Sequence, residues 1–143
     1  MDKSSRMAIV KSLEHLCSLG ALTDEGKLSD PVGVQISHLP LEPLFAKAML
    51  MSPSFKCSEE MLAAVAMLSV NRSFLLHRIN LKRQIQGYVQ GIGLELLSCE
   101  EDYSSFRRCL AASFFLIAAC KQPDGTFRAL ASGQTVSIHP SLL

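Results

Sequence analysis

The 143-residue sequence lacks most of what independent chemistry requires. Its five cysteines (Cys17, Cys57, Cys99, Cys109 and Cys120) form no C-x-x-C pair and have no histidine at metal-ligand spacing, so no zinc site is encoded. Their odd number and mostly apolar neighbours predict reduced, buried thiols. No nucleophile motif such as G-x-S-x-G occurs, and His15, His38 and His77 stand singly, which leaves no catalytic constellation. No uncharged apolar run of about 18 residues is present to span a bilayer. The opening MDKSSRMAIVKSLEHL lacks the apolar core and cleavage site of a secretory signal. These absences predict a nuclear or cytosolic chain that neither spans nor binds a membrane and holds no metal or cofactor.

GALTDEGKLS, residues 20–29, comes nearest to a nucleotide motif and fails. A phosphate-cradling loop needs G-x-x-x-x-G-K-[ST], so that four intervening residues wrap the phosphates and a hydroxyl reaches magnesium. Five residues separate Gly20 from Gly26, and Leu28 stands where the hydroxyl belongs. The segment before Gly20 also reads as helix rather than as the strand such a loop follows.

One sign of charge is missing from a long stretch. No Asp or Glu lies between Glu60 and Glu95, while Arg72, Arg78, Lys82 and Arg83 do. Such a block attracts phosphates, and it is equally the pattern of a solvated helix face.

What is present has an ordinary globular composition, 48% hydrophobic with a net charge of +1. Its length suits one domain or two small units in contact. Ser4 or Ser5 is placed to cap a first helix with one buried apolar stripe of Ile9, Leu13, Leu16 and Cys17, which Gly20 ends. Ala21–Leu22 and Lys27–Leu28 flank a polar turn and predict a short hairpin. Asp30 and Pro31 read as cap and first residue of a short helix through about Ser37. Pro40 interrupts it. A helix follows in LEPLFAKAMLMS, with Leu44, Ala48 and Met51 apolar, and Pro53 closes it. Ser58 is predicted to cap the next helix, with Glu59 and Glu60 at the positive end of its dipole. MLAAVAMLSV is apolar nearly all round and should be buried on most sides.

SFLLHRINLKRQIQGYVQGIGL then interleaves basic residues with Leu75, Leu76, Ile79, Ile85, Val89 and Ile92. SCEEDYSS reads as an acidic connector. FRRCLAASFFLIAAC predicts an apolar helix from about Tyr103 to Cys120. The final KQPDGTFRALASGQTVSIHP predicts turn, strand, turn and strand, with Phe127 alternating with Arg128 and Val136 and Ile138 with Ser137 and His139. The expected class is mainly α with short β-hairpins, an α+β arrangement. An isolated hairpin is marginal in water, so the strands read as the start of a larger sheet.

LGALTDEGKLSDPVG, LPLEPLFAKAML and FKCSEEMLAAVAMLSV, followed by FRRCLAASFFLIAACKQPDGTFRALASGQTVSIHPSLL, resemble in order the C-terminal accessory region of DEAH-box ATP-dependent RNA helicases. The resemblance implies a winged-helix remnant over 1–33, a ratchet-bundle fragment over 34–70, a basic connecting helix over 71–93 and an incomplete OB-fold over 94–143. No motor motif occurs: neither G-x-x-x-x-G-K-[ST], nor an Asp-Glu-Ala-His box, nor the glutamine- and arginine-rich final motif. ATP and magnesium, the cofactors of the full-length family, therefore have no site here, and the chain alone is expected to be inactive as an ATPase. Val70 runs directly into Asn71 where the family carries further helices, which implies an excised or alternatively spliced product.

The resemblance implies RNA as partner, a glycine-rich helicase activator as a second, and a nuclear location. Candidate RNA contacts are Arg72, Arg78, Lys82 and Arg83 on the basic helix and Lys121, Arg128 and His139 on the terminal strands. Phe127 reads as core or as a stacking platform, with Gln134 or Ser137 as polar contacts. Arg107 and Arg108 read as partners of Glu100, Glu101 or Asp102 on the helix surface. The competing readings are a helicase fragment whose chemistry lies elsewhere, a free RNA- or activator-binding module, and a truncated product with no role.

Overall fold

A computed structural model describes residues 3–69 and 75–137. Helix α1, Lys3–Ser18, begins before the expected serine cap, and its apolar stripe is not buried: Ile9 and Leu13 are exposed and Leu16 and Cys17 half-buried. It ends as anticipated: Gly20 takes φ +71°, and the N–H of Ala21 donates back to Leu16 at 2.9 Å. Glycine suits this left-handed position because it has no β-carbon to clash there. The chain then doubles back, and a single antiparallel bridge joins Leu22 to Leu28 in the predicted hairpin.

Helix α2, Val32–His38, departs from the expected capping. Pro31 occupies the cap position without a side-chain bond, after a cis Asp30–Pro31 peptide. Ser29 does the capping: its hydroxyl accepts the N–H of Gly33 at 2.9 Å and donates to the carbonyl of Gly20. One side chain thus ties the end of α1 to the start of α2.

Helix α3, Pro43–Met51, starts on a proline whose missing N–H costs nothing in a first turn. It runs into a 3₁₀ turn, Ser52–Phe55, so Pro53 redirects the chain rather than simply ending the helix. Helices α4 (Ser58–Leu68), α5 (Leu75–Gly91) and α6 (Tyr103–Ser113) follow. Helix α3 is the hub, packing on α2, α4 and α6, while α5 lies along α4. Ala46, Ala48, Met49, Met61, Leu62, Val65, Ile85, Val89 and Cys109 form the buried centre. Each fully buried large apolar side chain there contributes about 1.5–3 kcal/mol, so the α4–α5 seam depends on Ile85 and Val89. Helix α4 is not buried all round, because Met67 and Leu68 near its end are 58% and 61% exposed.

Ser58 is not a cap. It is the first helical residue, fully buried, and its hydroxyl donates to the carbonyl of Glu95 at 2.9 Å while accepting the N–H of Leu97 at 3.2 Å. The N–H of Glu59 donates to Leu97 O at 3.0 Å. The carboxylate of Glu60 accepts from the hydroxyl of Ser98 at 2.6 Å and from the N–H of Cys99 at 3.2 Å. The acidic connector is thereby latched to the first turn of α4.

Helix α6 stops at Ser113, well short of Cys120. Asp102 caps it, accepting the N–H of Ser104 at 3.1 Å. Phe115–Ile117 form a 3₁₀ turn, and Ala118 turns extended. Strands β1 (Ala119–Lys121), β2 (Phe127–Ala129) and β3 (Thr135–Val136) then make an antiparallel meander in that order. Pairing across β1 and β2 satisfies backbone groups that a longer helix would have satisfied internally, and the aromatic and β-branched residues of SFFLI weaken the helical alternative. Phe114 instead packs on Phe45, ring centres 5.9 Å apart. None of residues 114–137 is buried.

The thiols are only partly as predicted. Cys57 and Cys109 are buried, Cys17 and Cys99 half-buried, and Cys120 exposed on β1.

Candidate nucleic-acid interface

Burial of one face decides what the other face of α5 can offer. With Ile85 and Val89 buried and Leu81 half-buried, the polar residues are left on the flank and outer side. Lys82, Gln86 and Gln90 recur at four-residue spacing, which stacks them along one edge, and Arg83 stands beside Lys82. Lys82, Arg83 and Gln90 are exposed, and Gln86 is half-buried. Two cations next to two amides can meet phosphate and sugar oxygens without any base-specific geometry. Arg72 lies outside the described residues, as does the side chain of Arg78.

The strand candidates do not form one patch. Residues directly opposed across antiparallel strands project to the same face. Lys121, Phe127 and Val136 are opposed in one row, and Cys120, Arg128 and Thr135 in the other. Lys121 and Arg128 therefore project from opposite faces of the sheet. Lys121, Phe127, Val136 and Ser137 line an open hollow that combines a cation with a half-buried aromatic ring. Arg128 is tied to its own turn, its Nε donating to Gly133 O at 2.8 Å, and shares its hollow with Asp124. The Thr126 hydroxyl and N–H hold the Asp124 carboxyl below its ordinary range, so that face carries both signs of charge. His139 lies outside the described residues, and Gln134 is exposed at the β2–β3 turn.

Arg107 and Arg108 are exposed on α6. The Asp102 carboxyl is held below its ordinary value first by the Ser104 hydroxyl, and Arg107 adds only the least of the effects. Among the described residues no group of three or more His, Cys, Asp or Glu is arranged to hold a metal ion. No helix among them is long and apolar enough to cross a membrane. Ser29, Gly33 and Ser58 went unrecognised in the sequence as structural ties, since their partners lie on other elements.

Two family models match the chain. Residues 12–41, from the last turns of α1 through α2, match the winged-helix helicase associated domain (HA2). Residues 42–106, from α3 into α6, match the ratchet-like helicase associated domain (HA2). The chain is homologous to the helicase-associated region of DEAH-box RNA helicases. It is 38% identical to the pre-mRNA-splicing factor ATP-dependent RNA helicase DEAH10 of Arabidopsis thaliana over 208 residues. It is also 32% identical to the ATP-dependent RNA helicase DHX33 of Homo sapiens over 197 residues. Each match takes in 99% of this chain but only 29% and 28% of the relatives. Both alignments are longer than the chain's 143 residues, so within the matched region the relatives carry a stretch that this helicase-associated chain lacks. No motor domain is evident in it.

Proposed function

We propose that this chain is an accessory, RNA-contacting part of a DEAH-box ATP-dependent RNA helicase and does not hydrolyse ATP on its own. The observation that carries this reading is the match of nearly the whole chain to ATP-dependent RNA helicases, with residues 12–106 matching helicase associated domains. The outer flank of α5, with Lys82 and Arg83 exposed beside Gln86 and Gln90, supports contact with the RNA backbone. Arg72 and Arg78 extend the same basic segment in sequence, and Lys121 with Phe127 supplies a second surface that suits a stacked base. Arg128 and His139 complete the proposed contacts. ATP and magnesium belong to motor domains rather than to this chain. A glycine-rich helicase activator is the proposed protein partner. The word splicing in the name of the plant relative favours a nuclear location.

The test is titration of a fluorescein-labelled single-stranded RNA with the purified chain across salt concentrations. Weak binding is expected, losing affinity steeply with salt. For single strands, log K changes by about −0.7 per phosphate for each tenfold in salt. The double variant Lys82→Ala and Arg83→Ala should flatten the slope by about 1.4. Absence of binding at low salt, or a slope untouched by the double variant, would overturn the assignment to α5. ATP turnover by the chain alone, above a blank, would overturn the motor-free reading.

A further inference from the structure

Of all the serines and threonines in this chain, only Ser98 has a carboxylate three residues further on. It has three in succession, Glu100, Glu101 and Asp102, at the second, third and fourth positions after it. A kinase with a basic substrate groove recognises such carboxylates by charge. The rest of the chain offers no competing target of this pattern. Ser98 is exposed and lies in the segment Leu94–Cys99, which is neither helix nor strand, so its hydroxyl stands at the surface.

The same hydroxyl holds the latch between the connector and α4. It donates to Glu60 at 2.6 Å, and the neighbouring N–H of Cys99 donates to the second oxygen of that carboxylate at 3.2 Å. The contact is one-way, because an ionised carboxylate only accepts. A phosphoserine has no proton to give in return and adds a charge of about −1.5 to −2 at neutral pH. It would face Glu60 directly, with Glu100 and Glu101 following in the chain.

We propose that Ser98 is a phosphorylation site for an acidophilic serine/threonine kinase and that its modification releases the acidic connector from α4. In the transfer, Ser98 Oγ bonds to the γ-phosphorus of ATP while the bond from that phosphorus to the bridging oxygen breaks. ADP leaves, and the hydroxyl proton passes to the kinase's base. The phosphate exchanges a donor for a dianion beside a carboxylate, so the two sides of the latch repel. Glu60 keeps its place at the positive end of the α4 dipole, and the connector is the side that moves. This proposal does not depend on RNA binding.

The test treats the full chain with casein kinase 2 and magnesium ATP, locates phosphate by mass spectrometry, and follows amide hydrogen exchange. Phosphate is expected on Ser98, absent in Ser98→Ala and reduced several-fold in Glu101→Gln. The Cys99 amide should exchange about tenfold faster or more in the phosphorylated chain. Ser98→Ala, which loses the bond without gaining charge, should accelerate it less. Failure of the folded chain to take phosphate, or phosphate confined to other residues, overturns the site. Phosphate on Ser98 with unchanged Cys99 protection overturns the release.

Discussion

A β-carbon placed on Gly33 would collide with the carbonyl oxygen of Ala21. The start of α2 and the segment after α1 thus touch backbone to backbone, and the Ser29 hydroxyl, 3.0 Å from the same β-carbon position, closes the remaining space. Gly33→Ala must push apart two backbones that cannot rotate out of the way. The variant should lose at least about 1–3 kcal/mol, the usual cost of overpacking. Thermal unfolding followed by circular dichroism will show a lower Tm, and a Tm equal to the parent's would contradict this packing.

Ser58 makes a comparable prediction through hydrogen bonds. Its buried hydroxyl serves both the carbonyl of Glu95 and the N–H of Leu97. Ser58→Ala leaves two backbone groups without this partner, at a cost of about 1–3 kcal/mol. Urea denaturation should give a lower midpoint with an unchanged slope. Ser37→Ala serves as the control, since the Ser37 hydroxyl is exposed and bonds only within its own helix.

Acid stability should depend on Glu60. Burial alone would raise its pKa, but the bonds from Ser98 and Cys99 outweigh that and hold it below its ordinary value of 4.5. The unfolded chain therefore binds the proton first as pH falls. The stabilisation is fully present above pH 4.5 and is lost as pH drops through the lower folded value. Glu60→Gln should flatten this part of the stability curve, seen as a smaller loss of Tm between pH 5 and pH 3. An unchanged acid limb would show that the latch contributes nothing through charge.

The thiols should separate by reactivity. Burial, with Cys109 beside it, pushes the Cys57 thiol up to about 12, and burial also raises Cys109. Only the thiolate reacts with iodoacetamide, so both should resist alkylation until the chain unfolds. Cys120, exposed on β1, should be labelled first. Timed alkylation with peptide mass analysis gives the order, and early labelling of Cys57 would contradict its burial.

Local chemistry made parts of this fold legible. Gly20 ends α1, the polar turn after Leu22 makes a hairpin, and Glu59 and Glu60 sit in the first turn of α4, all because each depends on residues a few positions away. The misreadings share a different cause. Ser58 has the composition of a cap, yet its partners lie 37 and 39 residues further along. The run after Ser113 is apolar enough for a helix, yet Cys120 finds Arg128 across a strand pair. Met67 and Leu68 belong to an apolar helix but lie beyond its packed part.

The candidate RNA contacts divide in the same way. The sequence by itself determined the family, the absence of ATPase motifs and the block of unopposed positive charge, because these depend on residue identity and order alone. Only the tertiary structure decided which of those charges share a surface. Packing of Ile85 and Val89 turns Lys82 and Arg83 outward together, and the strand register sends Lys121 and Arg128 to opposite faces. Helix rotation and strand register are set by what is buried and by partners distant in the chain, and no local pattern specifies them.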